Sequence, residues 1–159
     1  MKKIYAFRVV SIILLAVWMS AIFIFSAQNA TESARFSSGI THKVFCAFYP
    51  DFEELSAESQ AELISKASFP IRKAAHFSEY ALLGALSFFA VCSYKSISLK
   101  ARNLIAVGIS VLYSVSDEIH QIFVPRRACR FFDIVIDCLG AISAILLLTI
   151  LMKRREQNG

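Results

Sequence analysis

"YSVSDEIHQIFVPRRACRFFDIVID", residues 113–137, decides how this chain folds, because it joins two apolar runs through a short segment crowded with acids and bases. Ionisable side chains are costly in a bilayer, and those found there face the interior of a helix bundle or a water-filled cavity. The stretch therefore predicts two membrane helices that meet at a polar site near their joined ends. The rest of the sequence has to supply the other walls of that site.

The composition indicates a membrane protein of one domain. The chain has 159 residues, of which 57% are hydrophobic, and this is too apolar for an ordinary soluble domain. Four stretches approach the roughly 20 residues that span about 30 Å of hydrocarbon: residues 9–27, 71–93, 104–124 and 131–152. We predict a single domain over residues 1–159, all-α and polytopic: a four-transmembrane-helix bundle with a helical extracytoplasmic loop, residues 28–70, between helices 1 and 2.

Basic residues in the short flanking segments set the orientation of such a bundle. The N-terminus begins like a signal peptide, but its apolar core exceeds the usual ~7–15 residues, which predicts a retained helix. Four spans then place three basic groups on one side, which is predicted to be cytoplasmic along with both termini: Lys2, Lys3 and Arg8; Lys95, Lys100 and Arg102; Lys153, Arg154 and Arg155. The net charge of +5 fits an inner-face anchor to anionic lipid, and no nucleic-acid motif is present.

The loop of residues 28–70 contains two amphipathic patterns. Phe36, Ile40 and Val44 have helical spacing, which predicts a short helix on the bundle or the bilayer surface. Further on, Ser59 and Glu62 have capping-box spacing, which predicts a second helix that ends at Pro70. Neither pattern carries a catalytic motif, so we expect the loop to form a lid over the outer face.

The ionisable residues of the spans fall on three helical stripes at one depth. Arg72, His76 and Glu79 are spaced i, i+4, i+7, so they share one face of the second span. Comparable stripes follow on the third and fourth spans, the last continuing into small residues that allow close helix contact: Ser114, Asp117, Glu118 and Gln121; Arg130, Asp133 and Asp137, then Gly140, Ala141 and Ala144. The stripes therefore predict a shared cluster just beneath the outer surface.

Three blocks of this sequence resemble the VanZ-like family of small bacterial membrane proteins. They are "FSAQ" at residues 25–28, "RKAAHFSEYALLG" at 72–84 and "SDEIHQIFVPRRACRFFDIVIDCLGA" at 116–141. The resemblance implies a multi-pass protein of the bacterial cytoplasmic (plasma) membrane, and an association with resistance to the glycopeptide teicoplanin. Two positions depart from the usual pattern: Arg126 stands in the place of a glycine, where a turn favours a positive φ, and Asp137 stands where many members have Asn.

The stripes and the resemblance together name the candidate site. The candidate catalytic residues are acids and a histidine: His76, Glu79, Glu118 and Asp133. The candidate substrate-binding residues come from all four spans and the outer turn: Ser26, Gln28, Arg72, Lys73, Tyr80, Asp117, Gln121, Arg127 and Asp137. No cofactor is indicated. The partners expected are the lipid bilayer and an anionic lipid or lipid-linked cell-wall precursor, and no nucleic acid. The sequence does not determine the oligomeric state.

Several interpretations of this cluster stay open. It can be structural, with salt bridges such as Arg127 to Asp133 or Arg72 to Glu118, although buried ion pairs are poor sources of stability. A hard-cation site from Asp117, Asp133 and Asp137 is chemically reasonable, but the arginines compete and no ligand motif is recognisable. Three outer arginines either bind phosphate or reach lipid headgroups: Arg126, Arg127 and Arg130.

Three functions fit these residues. The first is a membrane-embedded protein that binds a cell-envelope lipid or precursor and lowers susceptibility to glycopeptides. The second is a small intramembrane hydrolase or transferase that uses a carboxylate or His76 as acid and base and Arg127 as anion holder. The third is a proton-coupled carrier.

The two outer cysteines, Cys46 and Cys129, are either free thiols or a disulfide.

Overall fold

The structure, a computed structural model, describes residues 2–94 and 96–158, and Lys95, one of the basic residues assigned to the cytoplasmic flank, lies outside them. Within those ranges the chain forms α-helices, one short 3-10 helix at Phe52–Glu54, and no strand. The five α-helices are α1 (Lys2–Ser26), α2 (Ala30–Phe48), α3 (Ala57–Cys92), α4 (Leu99–Gln121) and α5 (Phe131–Gln157). The prediction of an all-α chain is confirmed.

Three of these helices, α1, α3 and α5, are long and apolar enough to cross a membrane. Among the described residues, α4 does not meet the same criterion, although it covers most of the predicted third span. Its mean hydropathy is lowered by Lys100, Arg102 and Asn103 near its start and by the polar residues of the candidate site at its C-terminal end. The polar residues of the candidate site are buried, whereas Leu112 and Ile119 on the same helix are exposed, so α4 turns its polar side inward and its apolar side outward.

The prediction of a separate loop helix that ends at Pro70 is wrong. The second amphipathic segment and the second span form one continuous helix, α3, with Pro70 inside it. Proline removes one N–H from the helix and so deprives the carbonyl of Lys66 of its i+4 donor, which neighbouring groups can make good in helices of this kind. The helix begins earlier than the Ser59 to Glu62 spacing predicts, because Ser56 is the N-cap and its side chain accepts from the Ser59 N–H, 3.3 Å.

Two glycines allow α3 and α5 to cross in backbone contact, and this is the most extensive helix contact of the bundle. A Cβ atom on Gly140 of α5 would lie 2.2 Å from the carbonyl oxygen of Phe77 on α3. A Cβ atom on Gly84 of α3 would lie 2.6 Å from the carbonyl oxygen of Ala141 on α5. Both distances exclude any side chain, so the small residues at the end of the fourth-span stripe are what bring Asp133 and Asp137 against α3.

The helices define two ends of the bundle. At the first, which we call the terminal end, Arg8 Nε of α1 donates to Ser93 Oγ after α3 at 3.2 Å, and Cys92 lies 3.6 Å from Met152 of α5. At the second, which we call the site end, Arg127 Nε donates to the carbonyl of Gln28 at 3.2 Å. Both chain termini therefore lie at one end, and the ionisable stripes lie at the other.

The first loop helix, α2, packs against the N-terminal half of α3 with its polar side. Ser37 and Thr41 are buried, and Thr41 Oγ1 lies 3.5 Å from Ser68 Oγ of α3. By contrast, Phe36, Ile40 and Val44 are exposed. The predicted helix is confirmed, and the apolar residues that indicated it are more exposed than the polar residues packed on α3.

Candidate functional site

A cavity of about 150 Å³ lies at the site end between α1, α2, α3 and α4, and we call it the central cavity. Eight of the candidate residues line it, together with apolar residues of α1, α2 and α3. The candidates are Ser26, Gln28, Arg72, His76, Glu79, Asp117, Gln121 and Arg127, and the apolar group includes Ile22, Phe25, Phe36, Ile40 and Ile71. The stripe of Arg72, His76 and Glu79 thus faces one space, as its spacing predicts.

The polar wall of the central cavity is a chain of weak hydrogen bonds with free positions. Arg127 Nη1 donates to Gln121 Oε1 at 3.5 Å, and Gln121 Nε2 donates to Asp117 Oδ2 at 3.3 Å. Asp117 Oδ1 and Ser26 Oγ are buried and have no hydrogen-bond partner. Buried polar groups are normally satisfied, so this wall offers acceptors and donors to a water molecule or a ligand.

Arg72 and Arg127 place positive charge at the rim of the central cavity. Arg72 Nη2 donates to Ser37 Oγ of α2 at 3.1 Å, while its Nε is buried without a partner. Burial, followed by the neighbouring Arg72 guanidinium, lowers the pKa of Arg127 from its ordinary value, but a guanidinium stays charged at any ordinary pH. Both arginines are therefore cations with unused hydrogen-bonding capacity.

Behind His76 lies a buried pair of α4 and α5 side chains. Ser114 Oγ donates to Asp137 Oδ2 at 2.9 Å, and Asp137 Oδ1 lies 3.4 Å from His76 Nδ1. This last contact is within ion-pair distance but does not have hydrogen-bond geometry, so neither atom has a hydrogen-bond partner. A carboxylate beside one ring nitrogen orients the imidazole and leaves the other nitrogen for chemistry.

A second space, also of about 150 Å³, lies on the other side of His76, and we call it the basic cavity. It shares Arg72, His76, Gln121 and Arg127 with the central cavity. Its remaining polar lining consists of Lys73, Asp133, Arg126 and Arg130. Lys73 and Asp133 form a largely buried ion pair there. The basic cavity therefore holds two of the five candidates that do not line the central cavity.

Three candidates line neither cavity. Tyr80 is fully buried with its hydroxyl unpartnered, and Asp137 is the residue behind His76. Glu118 is buried, and its Oε2 accepts from the backbone N–H of Arg130 at 2.8 Å. Glu118 therefore ties the end of α4 to the start of α5. Its predicted catalytic role stays a prediction, but it has a structural contact of its own.

Both salt bridges named from the sequence are wrong. Asp133 pairs with Lys73 instead of Arg127, because Arg127 extends across the turn to Gln28. Arg72 points toward α2 and bonds Ser37, whereas Glu118 bonds the backbone of Arg130.

Within residues 2–94 and 96–158, no group of three or more His, Cys, Asp or Glu side chains is placed to hold a metal ion. Cys46 and Cys129 are free, exposed thiols.

The contribution of α2 to the site was missed from the sequence. Ser33 and Ser37 line the central cavity, and Ser37 is a hydrogen-bond partner of Arg72. Ser33, Ser37 and Thr41 are spaced i, i+4, i+8, which is a polar stripe beside the apolar one, about 60° around the helix at 100° per residue. That stripe is the sequence signal for the contact of α2 with the site.

The turn between α4 and α5 has the positive φ that is expected at a position where glycine is usual, although Arg126 stands there. Arg126 has a φ of 62°, the only positive φ at a non-glycine residue in the described chain. The Arg127 N–H donates to the Val124 carbonyl at 3.1 Å, which closes a turn with Pro125 in its second place. Proline followed by a residue with positive φ is the pattern of a type II turn.

Comparison with known proteins identifies a family. A family model described as VanZ/LLP1 matches residues 11–152, nearly the whole chain. No curated protein and no solved structure gives a significant match.

Proposed function

The chain belongs to the VanZ-like family, and on that premise we propose that it is a multi-pass protein of the bacterial cytoplasmic membrane whose central cavity binds, or acts on, a cell-envelope lipid or lipid-linked precursor. The observation that carries this proposal is the lining of the cavity. Phe25, Phe36 and Ile40 contribute an apolar part, while Asp117 and Arg127 contribute a polar part. A lipid with a polar headgroup has the same two-part chemistry.

In this proposal α4 is a fourth membrane span. Its polar side chains are buried in the bundle and its large apolar ones are exposed, so the surface that lipid would meet is apolar despite the low mean hydropathy. The terminal end is cytoplasmic, since it gathers the basic flanks. The site end then faces outside, with α2 and the first turns of α3 above the cavity as a lid.

The phenotype that we propose is lowered susceptibility to teicoplanin. The support is the family membership and a cavity that would lie at the outer leaflet, where lipid-linked wall precursors and glycopeptides meet. The functional effect would follow from binding such a lipid or from changing it.

A second function, an intramembrane hydrolase or transferase, is favoured by one specific arrangement. His76 lines both cavities and has Asp137 at 3.4 Å from its Nδ1. With Nδ1 beside a carboxylate, Nε2 is the atom available to exchange a proton with a bound substrate. Glu79 lines the central cavity beside it and is the second acid or base candidate.

Susceptibility of cells to teicoplanin tests the proposal. Cells that produce the wild type, Asp117→Asn, Glu79→Gln or His76→Gln are compared with empty-vector cells, at membrane abundance matched by immunoblot. Glu62→Gln is the matched control, because Glu62 pairs with Lys66 on an exposed face of α3 and lines neither cavity. We expect wild type and Glu62→Gln to protect equally and the cavity variants to protect less.

The pattern of loss separates the two functions. A binding cavity keeps part of its protection in Asp117→Asn, because an amide still forms hydrogen bonds. An acid or base cannot be replaced in this way, so an enzyme loses all protection in His76→Gln or Glu79→Gln. Full protection by all three cavity variants would show that the central cavity is not the functional site. No protection by the wild type would refute the glycopeptide phenotype for this protein.

A further inference from the structure

We infer that the basic cavity binds a phosphate group, so that the lipid recognised by this protein is a phosphate-bearing one. This inference rests on the proposed function and adds the chemical class of the headgroup. The cavity is lined by five cationic side chains and one carboxylate: Arg72, Lys73, Arg126, Arg127, Arg130 and Asp133.

The lining of the basic cavity carries more positive than negative charge. Asp133 is already engaged by Lys73, which leaves four guanidinium groups around the same space. In the described part of the chain, Arg126 and Arg130 have no side-chain hydrogen bond or ion pair, and Arg127 donates only to the neutral Gln28 carbonyl and Gln121 amide oxygen. Asp117, Glu118 and Asp133 are counter-charges near Arg127, whereas Arg126 and Arg130 are exposed, so the guanidinium donors of these last two are free to bind an anion.

The fork geometry of arginine selects the kind of anion. A guanidinium donates two parallel N–H groups, which match two oxygens of a phosphate or a carboxylate. Several guanidinium groups around one small space favour a group with oxygens on several sides, and a phosphate has this form whereas a carboxylate has two oxygens in one plane. The volume of about 150 Å³ is well above the ~10–15 Å³ that holds one water molecule.

The turn between α4 and α5 places two of these cations together. Arg126 with its positive φ and Arg127 are consecutive in a turn closed from Arg127 to Val124, and both line the cavity. Arg130 is the N-cap residue of α5 and makes no side-chain capping bond. The N-terminus of α5 lies at the same wall, but Glu118 already accepts from its Arg130 N–H and Asp133 lies in its first turn, so the side-chain cations are what would hold the anion.

The position of the cavity relates the phosphate site to the lipid site. Arg72, His76, Gln121 and Arg127 separate the two cavities and belong to both. A phosphate in the basic cavity would thus lie on one side of His76, with the rest of the headgroup and the apolar chains directed to the central cavity. This arrangement also puts the candidate acid or base next to a phosphate group.

Calorimetric titration of the purified full-length protein in non-ionic detergent tests the inference. The probes are dioctanoyl phosphatidate, inorganic phosphate, octanoate as an anion without phosphate, and dioctanoyl glycerol as a neutral lipid. The test variant is Arg126→Gln with Arg130→Gln, which removes two lining cations whose side chains have no described bond. The matched control is Arg35→Gln with Lys43→Gln, which removes two exposed cations of α2 and the same charge.

We expect phosphatidate to bind the wild type and the control alike, and the test variant about tenfold or more weakly, since each charge-assisted hydrogen bond is worth about that factor. Octanoate and dioctanoyl glycerol should bind all three proteins weakly and equally. Displacement of phosphatidate by inorganic phosphate would mean that the site accepts the group from either source, and failure to displace it would mean that the lipid chains are required; either result supports the site.

Equal affinity for phosphatidate in the test and control variants overturns the inference, and so does equal binding of octanoate and phosphatidate. Neither result touches the central cavity, whose role is decided by the teicoplanin measurement on Asp117, Glu79 and His76. Unfolding midpoints of both double variants should equal that of the wild type, and a variant that fails this is replaced by Arg130→Gln alone, for which the same difference in affinity is required.

Discussion

Arg126 holds a φ of 62°, a conformation that a residue with a Cβ adopts at a cost of roughly 1–2 kcal/mol. Glycine adopts it freely but loses about 0.5–1 kcal/mol of chain entropy on folding. We therefore expect Arg126→Gly to raise the free energy of unfolding by up to about 1 kcal/mol. The measurement is the midpoint of thermal unfolding of the purified protein in detergent.

The control for this residue is Arg126→Ala, which removes the same guanidinium but keeps a Cβ. It should unfold at the wild-type midpoint or below it, because the backbone strain stays. If the alanine variant gains as much as the glycine variant, then the release of charge repulsion in the basic cavity, and not the φ angle, explains the gain.

At the scale of the elements, the crossing of α3 and α5 depends on Gly140. A Cβ atom there would meet the backbone carbonyl of Phe77 at 2.2 Å, and backbone cannot relieve a clash by changing rotamer. We expect Gly140→Ala to lower the free energy of unfolding by at least the roughly 1–3 kcal/mol typical of an overpacked core, as α5 is displaced from α3. Unfolding in detergent by a titration with dodecyl sulfate measures this.

Gly108→Ala is the matched control, because nothing lies within 4 Å of a Cβ atom on this helical residue of α4. Its free energy of unfolding should be unchanged or raised by up to about 1 kcal/mol, as expected for Gly to Ala in a helix. Equal effects of the two substitutions would contradict a backbone contact at Gly140.

The helices themselves could be predicted from the sequence to different degrees. Long apolar runs predict that α1 and α5 exist, although α1 begins before residue 9 and α5 continues past residue 152, and α2 follows from its periodicity. The continuity of α3 through Pro70 could not be predicted, since proline in a sequence normally indicates an end and the contacts that tolerate it here come from other elements. Which side of α2 packs on the bundle could not be predicted either. An apolar face is normally buried in a protein surrounded by water, but it can be exposed in a protein surrounded by lipid.

At the scale of the whole molecule, the same limit applies to the site. Helical spacing was enough to place Arg72, His76 and Glu79 in one cavity. It could not separate Asp117, which lines that cavity, from its neighbour Glu118, which bonds the Arg130 backbone, because a few tens of degrees of helix rotation decide between them. The pairing of Lys73 with Asp133 depends on the α3 to α5 crossing, and its cause is therefore two glycines of those helices, Gly84 and Gly140.

The orientation of the whole molecule in the membrane can be measured with its own thiols. Cys46 and Cys129 are exposed, in α2 and in the turn before α5, whereas Cys92 and Cys138 are half-buried. With the site end outside, a membrane-impermeant maleimide should label Cys46 and Cys129 in intact spheroplasts. A Cys46→Ser and Cys129→Ser double variant should lose this labelling.

A cysteine introduced at Gln157 in that double variant tests the opposite end. Gln157 is the last residue of α5, and the C-terminal part of α5 lies beside the end of α3 at the terminal end. Both termini share that end, so four spans predict labelling at Gln157→Cys only after the membrane is permeabilised. If Gln157→Cys and Cys46 are both labelled in intact spheroplasts, α4 does not cross the bilayer as proposed, since four spans separate the lid from each terminus by an odd number of crossings, one to the N-terminus and three to the C-terminus.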